Sequence, residues 1–297
     1  MASLGSDFLN KAEDYRLSFE YKQALPLYEK ALAAFQESNS NTGIGNTYRG
    51  MGELFKQQDD YKSSKRHFKE ALAAYVAAEN TLGVGFSHLG LGQVNLIQND
   101  FASCRQHLNQ ANECFTNENH DIGKADALTE LGKLELLLEN TEKAKEALLK
   151  AKSMYVALND SWGESQLFIH LFQIEYANQN FEEASTICEK TIPLLEKNYN
   201  KLGLSQCYKL LADVKKEQNK LDQATTYYTK SISLSESISD KLGEANAKFR
   251  LGELKFTLND HSDAKELLTS AQTLYQELND YTHSTKVAIA LQNIPKQ

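Results

Sequence analysis

Glycine returns in this chain at a fixed interval of 40 residues: Gly43, Gly83, Gly123, Gly163, Gly203 and Gly243 form an unbroken series. That regularity calls for one small unit used many times, each burying its apolar face against the next. Other positions keep the same register. Small side chains recur at Ala24, Ser64, Cys104, Ala144, Ala184, Ala224 and Ala264, and again at Ala31, Ala71, Ala111, Ala151, Thr191, Ser231 and Ala271. The frame predicts a single solenoid domain over 1–297. Its repeats are 1–40, 41–80, 81–120, 121–160, 161–200, 201–240 and 241–280, with a remainder at 281–297.

Within each repeat the apolar residues fall into two blocks with helical spacing. In 41–80 the first carries Tyr48, Met51, Leu54 and Phe55, and the second, over Tyr61–Glu79, carries Ser64, Phe68, Ala71, Leu72 and Tyr75. Both follow the i, i+3, i+4, i+7 rule of an amphipathic helix. Short polar breaks such as Gln58-Asp59-Asp60 and Gln98-Asn99-Asp100 separate the blocks. Breaks that short force neighbouring helices antiparallel. Asn80, Asp160, Asn200, Asp240 and Asp280 are predicted to cap the following helices, because their side chains satisfy free backbone N–H groups. The prolines are Pro26, Pro193 and Pro295. Pro193, inside a predicted helix, is expected to kink it or end its hydrogen bonding near Glu189. The fold class is therefore all-α.

A Leu-Gly pair followed by spaced Thr, Ala, Leu and Ala (Leu131-Gly132, Thr141, Ala144, Leu148, Ala151) resembles the tetratricopeptide repeat. The pattern Met51-Gly52, Tyr61, Ser64, Phe68, Ala71 is similar, and the resemblance covers essentially the whole chain. The usual period is about 34 residues. The extra length is expected in the second helix, and the usual closing proline is missing. A bulky residue before the frame glycine (Leu82, Ile122, Trp162, Leu202, Leu242) makes the longer form similar to the arrays of Partner of Inscuteable and rapsyn-type scaffolds. It resembles bacterial Rap-type peptide-sensing arrays less closely. The resemblance implies a right-handed superhelix of seven helix-turn-helix repeats with a C-terminal capping helix over 281–297, its first helices on the concave surface. It also implies a module that binds proteins or peptides. The Lys and Asn pattern of the chaperone-tail clamp and the asparagine ladder of the Inscuteable-binding arrays are both absent, so neither ligand carries over.

The net charge of −8 argues against nucleic acid and against an anionic membrane surface, which need a basic stripe. No apolar run approaches a membrane span, and the start MASLGSDFLNKAEDY shows no secretory signal. Cys104, Cys114, Cys188 and Cys207 lack the spacing of a disulfide framework, which suggests reduced thiols in a cytoplasmic protein.

Candidate chemistry is sparse. The glycine-rich segments at 43–52 and 83–92 lack the preceding strand of a phosphate-binding loop. Cys104 and His107 share a helix face without a second ligand pair. Asp59-Asp60 occupies a repeated turn, and Trp162 is expected to pack between repeats. No catalytic set, cofactor or metal site is predicted, which points away from an enzyme.

The predicted binding surface is a groove along the first helices. Its polar ladder comprises Glu13, Glu53, Gln93, Lys133, Gln173, Asp213 and Glu253. One turn earlier lie Arg49, Leu89, Thr129, Ile169, Lys209 and Phe249, and Phe86 joins this set. Such alternation suits a peptide with side-chain pockets and hydrogen bonds, although an ordinary solvated helix face carries it too. Gly50 and Gly90, inside these helices, either tighten packing or leave room for a ligand backbone. The acidic members predict a ligand with Lys or Arg, and Lys133 would face an acidic or carbonyl group. A scaffold or adaptor is the expected function, and a regulatory sensor that changes superhelical pitch is the alternative.

Overall fold

The computed structural model describes residues 2–295. Residue 1 of the first repeat and residues 296 and 297 of the capping segment lie outside it. The chain divides into two compact units, 1–159 and 160–297, and each is described by itself. The first contains α1 (Ala2–Leu17), α2 (Tyr21–Glu37), α3 (Asn41–Gln57), α4 (Tyr61–Ala77), α5 (Thr81–Ile97), α6 (Phe101–Asn117), α7 (Asp121–Leu137) and α8 (Thr141–Ala157). The second contains α9 (Ser161–Gln166), α10 (Phe168–Ala177), α11 (Phe181–Lys197), α12 (Lys201–Glu217), α13 (Leu221–Ser237), α14 (Lys241–Thr257), α15 (His261–Glu277) and α16 (Tyr281–Gln292). Among the described residues every regular element is a helix.

In the repeat 41–80 both helices have 17 residues. The turns between helices share one backbone form. Their middle residues, from Phe19 to Asn279, have φ between 52° and 62°, and none is glycine. Asn is frequent there, as at Asn39, Asn99 and Asn219, because it tolerates the left-handed conformation. Each turn then returns an N–H to the end of the preceding helix, as in Asp60 N to Phe55 O at 3.0 Å.

The five predicted caps all form. Asn80, Asp160, Asn200 and Asp240 accept from the N–H of Gly83, Gly163, Gly203 and Gly243 at 2.8–3.0 Å, and Asp280 accepts from His283 N at 3.0 Å. The frame glycines have a second cause, close packing. A Cβ on Gly83 would stand 2.5 Å from Tyr75 Cγ, and one on Gly123 would stand 2.6 Å from Phe115 Cδ1. The glycine of the Leu-Gly pair does the same within a repeat. A Cβ on Gly92 would be 2.5 Å from Leu108 Cδ2, and one on Gly132 would be 2.6 Å from Leu148 Cγ.

No central core exists; apolar clusters follow one another along each unit. One joins Leu89 and Leu96 to Leu108 and Phe115 and then to Ala127 and Leu134, so it spans α5, α6 and α7. Another joins Ala212, Tyr228 and Leu254 across α12, α13 and α14. Within each unit, each helix packs on its neighbours in sequence. In addition α1, α3, α5 and α7 touch in succession, so the first helices make one layer in the first unit, and α12 touches α14 in the second. Val287 of α16 is fully buried and packs with Leu268 and Tyr275, which closes the last helix pair.

Two expectations are corrected. Pro193 does not end its helix: α11 continues from Phe181 to Lys197, with buried Cys188, Thr191 and Leu195 on both sides of the proline. The interruption lies instead at Leu167, between α9 and α10. Leu167 is fully buried in the slot that holds Thr47, Ser87, Ala127, Cys207 and Ala247 in other repeats. A larger side chain there forces the backbone to give way, and Ser165 Oγ turns back to Trp162 O at 2.8 Å. Trp162 is 58% exposed rather than packed.

Candidate functional site

In the first unit the ladder forms a continuous polar chain. Lys56 Nζ meets Glu53 Oε2 at 2.8 Å and also donates to Gln93 Oε1. Gln93 Nε2 donates to Glu130 Oε1 at 3.2 Å, and Lys133 Nζ reaches the same oxygen at 3.0 Å. Five residues on α3, α5 and α7 are thereby linked across the face of the first-helix layer. Arg49 lies over the Phe86 ring, 5.5 Å from its centroid. These residues hold one another.

Four predicted groove members are withdrawn from the surface. Leu89 belongs to the core, and Thr129 is buried with its hydroxyl donating to Ala125 O at 2.8 Å. Gly50 and Gly90 are buried. A Cβ on Gly50 would stand 2.6 Å from Tyr28 Cε1, and one on Gly90 would stand 2.5 Å from Phe68 Cζ. The space these glycines leave is filled by neighbouring rings, so they serve packing.

Two of the ladder acids, Glu13 and Asp213, have a structural partner. Tyr28 OH donates to Glu13 Oε1 at 2.7 Å, and Tyr228 OH donates to Asp213 Oδ1 at 2.5 Å. Arg16 also grips Glu13, with Nη2 2.6 Å from Oε2. Burial, then the adjacent carboxylate, holds both phenols well above the usual tyrosine range. These hydroxyls stay protonated and serve as donors.

The second unit is where the face opens. A cavity of about 470 Å³ lies between α14 and α16, with Phe249, Ile289 and Ala290 offering apolar surface and Asn246, Arg250 and Lys286 polar groups. A second, of about 280 Å³, is lined by Gln173, Tyr176, Asp213, Lys216, Glu217 and Arg250. A third, of about 270 Å³, shares Lys216 and Glu253 with its neighbours. Four predicted residues, Gln173, Asp213, Phe249 and Glu253, therefore line adjoining cavities. Ile169 packs against the core beside them, and Lys209 is half-buried.

Arg250 joins the two larger cavities, and sequence reasoning passed over it. It stands in the frame slot that holds Gly50, Gly90, Glu130, His170 and Leu210 in other repeats, so the signal was a cation in a slot that two repeats give to glycine. Its guanidinium is held above the usual arginine value: burial opposes the charge, but the Asp213 and Glu253 carboxylates outweigh it. Its contact with Glu253 is single and long, at 3.4 Å.

Other polar clusters are structural. Ser185 Oγ lies 2.7 Å from Lys215 Nζ, the spacing of a nucleophile and its base, yet Ser185 is buried and donates to Glu189 Oε1 at 2.8 Å. The ion pair of Arg105 and Glu135 fills the same frame slots. Cys104 is buried, and its neighbour His107 faces His88, Nδ1 to Nδ1 at 3.0 Å. Among the described residues no group of three metal-ligating side chains occurs, the four cysteines are free, and no helix is long and apolar enough to cross a membrane.

Stacked antiparallel helix pairs on a repeating frame define a tetratricopeptide-type solenoid. Sequence profiles of the tetratricopeptide repeat match residues 6–75, 125–155 and 205–238, and the chain carries these repeats. No curated protein sequence matches it. Solved structures share the fold. The apo quorum sensor NprR from B. thuringiensis superposes with a TM-score of 0.72 at 12% identity, over 97% of this chain and 80% of that one. The apo form of RapI gives 0.70 at 13% identity, over 93% and 99%. A Rap protein complexed with competence and sporulation factor gives 0.63 at 14%, over 99% and 98%. The signal-transduction ATPase with a tetratricopeptide repeat sensor from Pyrococcus horikoshii gives 0.65 at 15%, and this chain spans only 42% of its length.

Proposed function

We propose that the protein is a non-enzymatic scaffold or adaptor that holds a protein segment against the first helices of its second unit. The observation that carries this is the run of adjoining cavities sharing Lys216, Arg250 and Glu253, lined by both apolar and polar side chains. Such a preformed surface spares the receptor most of the ordering cost of binding. The charged side chains of the trough offer ion pairs to the bound segment, and Tyr176 and Phe249 offer apolar surface. The solved Rap complex with competence and sporulation factor supports a ligand-binding role for this architecture. The free thiols fit a reducing, cytoplasmic location.

A sensor that changes its pitch on binding is the second reading, favoured by the interruption at Leu167, where one first helix is already divided. X-ray scattering with and without ligand separates the two, since a scaffold keeps its radius of gyration.

Selection from a random-peptide phage library tests the site. The wild type should enrich a consensus, and Ile289→Glu, which places a charge in the cavity at a residue already 56% exposed, should lose it. Enrichment unchanged by that substitution would refute the assignment.

A further inference from the structure

The charges of this trough are not equally occupied, and the difference points to one feature of its ligand. Asp213 accepts from the Tyr228 hydroxyl at 2.5 Å, and Glu217 from the Tyr176 hydroxyl at 3.5 Å. Arg250 has five N–H donors, yet its ion pair is one contact of 3.4 Å to Glu253. Lys286 is exposed, lines the 470 Å³ cavity beside Arg250 and makes no ion pair among the described residues. Lys216, which is half-buried, lines the two neighbouring cavities and likewise makes no ion pair among the described residues. In the 470 Å³ cavity Arg250 and Lys286 therefore outnumber Glu253, in a chain whose net charge is −8.

The neutral groups agree with the cations. Asn246 Oδ1 accepts from the Tyr275 hydroxyl at 2.8 Å, which fixes the amide and leaves its Nδ2 as a donor. His283 Nδ1 is engaged with Asp280 Oδ2 at 2.7 Å, so the ring is held in place at the cavity wall. Phe249, Ile289 and Ala290 provide apolar surface beside these donors. Planar donors from Arg250, an amide donor from Asn246 and the mobile ammonium of Lys286 suit a carboxylate, for which the arginine fork is shaped.

We propose that the cavity between α14 and α16 is a carboxylate subsite that takes an Asp or Glu side chain of an acidic protein segment, with an apolar residue of that segment on Phe249 and Ile289. The proposal rests on the trough being the binding surface and adds the chemistry of its ligand. A Lys or Arg at the same point would meet Arg250 and Lys286 directly and be repelled.

The phage library distinguishes the two levels of inference. Peptides selected by the wild type should show Asp or Glu at one position, next to an apolar residue, enriched at least about tenfold over the unselected pool. Lys286→Glu, at an exposed residue where folding is not at stake, should abolish that enrichment. Arg250→Lys, which keeps the charge and loses the fork, should weaken it. Circular dichroism confirms that the variants are folded. A consensus with no acidic position, or one untouched by Lys286→Glu, overturns the carboxylate subsite while the trough stands. If no peptide is enriched at all, both fall.

Discussion

Replacing Gly83 by alanine sets two effects of known size against each other. An alanine inside a helix is favoured over glycine by about 0.8–1 kcal/mol, so propensity alone predicts stabilisation. Geometry predicts the reverse. The new Cβ would stand 2.5 Å from both Cγ and Cε1 of Tyr75, and nearer still to Cδ1. Carbon atoms rest about 3.5–4.0 Å apart, so the ring must retreat by roughly 1 Å or more. Tyr75 is 1% exposed and its hydroxyl donates to Asn46 Oδ1 at 2.6 Å, so retreat overpacks the far side and breaks that bond. Overpacking costs about 1–3 kcal/mol and the hydrogen bond about 1 kcal/mol. The net expectation is a loss of about 1–3 kcal/mol, read from urea unfolding fitted with a nearest-neighbour repeat treatment. Tyr75→Leu in the same chain should recover part of it, giving a coupling of about 1 kcal/mol or more. A more stable Gly83→Ala protein, or additive single variants, would refute close packing as the reason for the glycine series.

Two further outcomes follow from buried polar groups. Asn95 is fully buried and neither its Oδ1 nor its Nδ2 has a partner, so Asn95→Leu should raise stability by about 1–3 kcal/mol; a loss would mean the amide is satisfied after all. His88 is held down to about 4 from 6.5, first by burial and then by the facing His107, near which stand Lys65, Lys69 and Asp100. The unfolded chain therefore takes up the proton first: the stability from neutral His88 is complete above about 6.5 and is lost as pH falls toward 4. The drop in unfolding midpoint between pH 7 and about 4.5 should be smaller in His88→Phe than in the wild type, and equal drops would dismiss the histidine pair as its source.

The frame, the five helix caps and the small slots were legible because each follows from a local rule repeated many times. Asp240 must cap whichever helix begins at Lys241, and the glycine three residues on must donate to it. The interruption at Leu167 was not legible in the same way, because it depends on whether one slot tolerates a larger side chain, a fact about neighbours rather than spacing. Nor was the exposure of Trp162, since a bulky residue at the start of a first helix reads alike whether or not anything covers it. The left-handed turn position was not legible either: glycine is the usual residue for it, yet these turns hold Phe19, Glu79 and Tyr199.

The chemistry of the groove depends on pairs, and pairs decide its sign. The ladder by itself, with Glu13, Glu53, Asp213 and Glu253 against Lys133, implies a basic ligand. Each acid has to be counted with its partner. Tyrosine stands opposite the ladder at Tyr28 and Tyr228, and there the ladder residue is an acid that receives its hydroxyl. The same rule joins Tyr75 to Asn46, Tyr155 to Asp126 and Tyr275 to Asn246, while Phe115 faces Phe86 and needs no acceptor. Glu53 is bound to Lys56, and Glu130 to Lys133. Once these carboxylates are assigned to architecture, Arg250, Lys216 and Lys286 are left with donors facing the cavities and few acceptors in reach. Electrostatic recognition follows the groups free to change partners, and the proposed carboxylate subsite rests on Arg250 and Lys286 being such groups in the second unit.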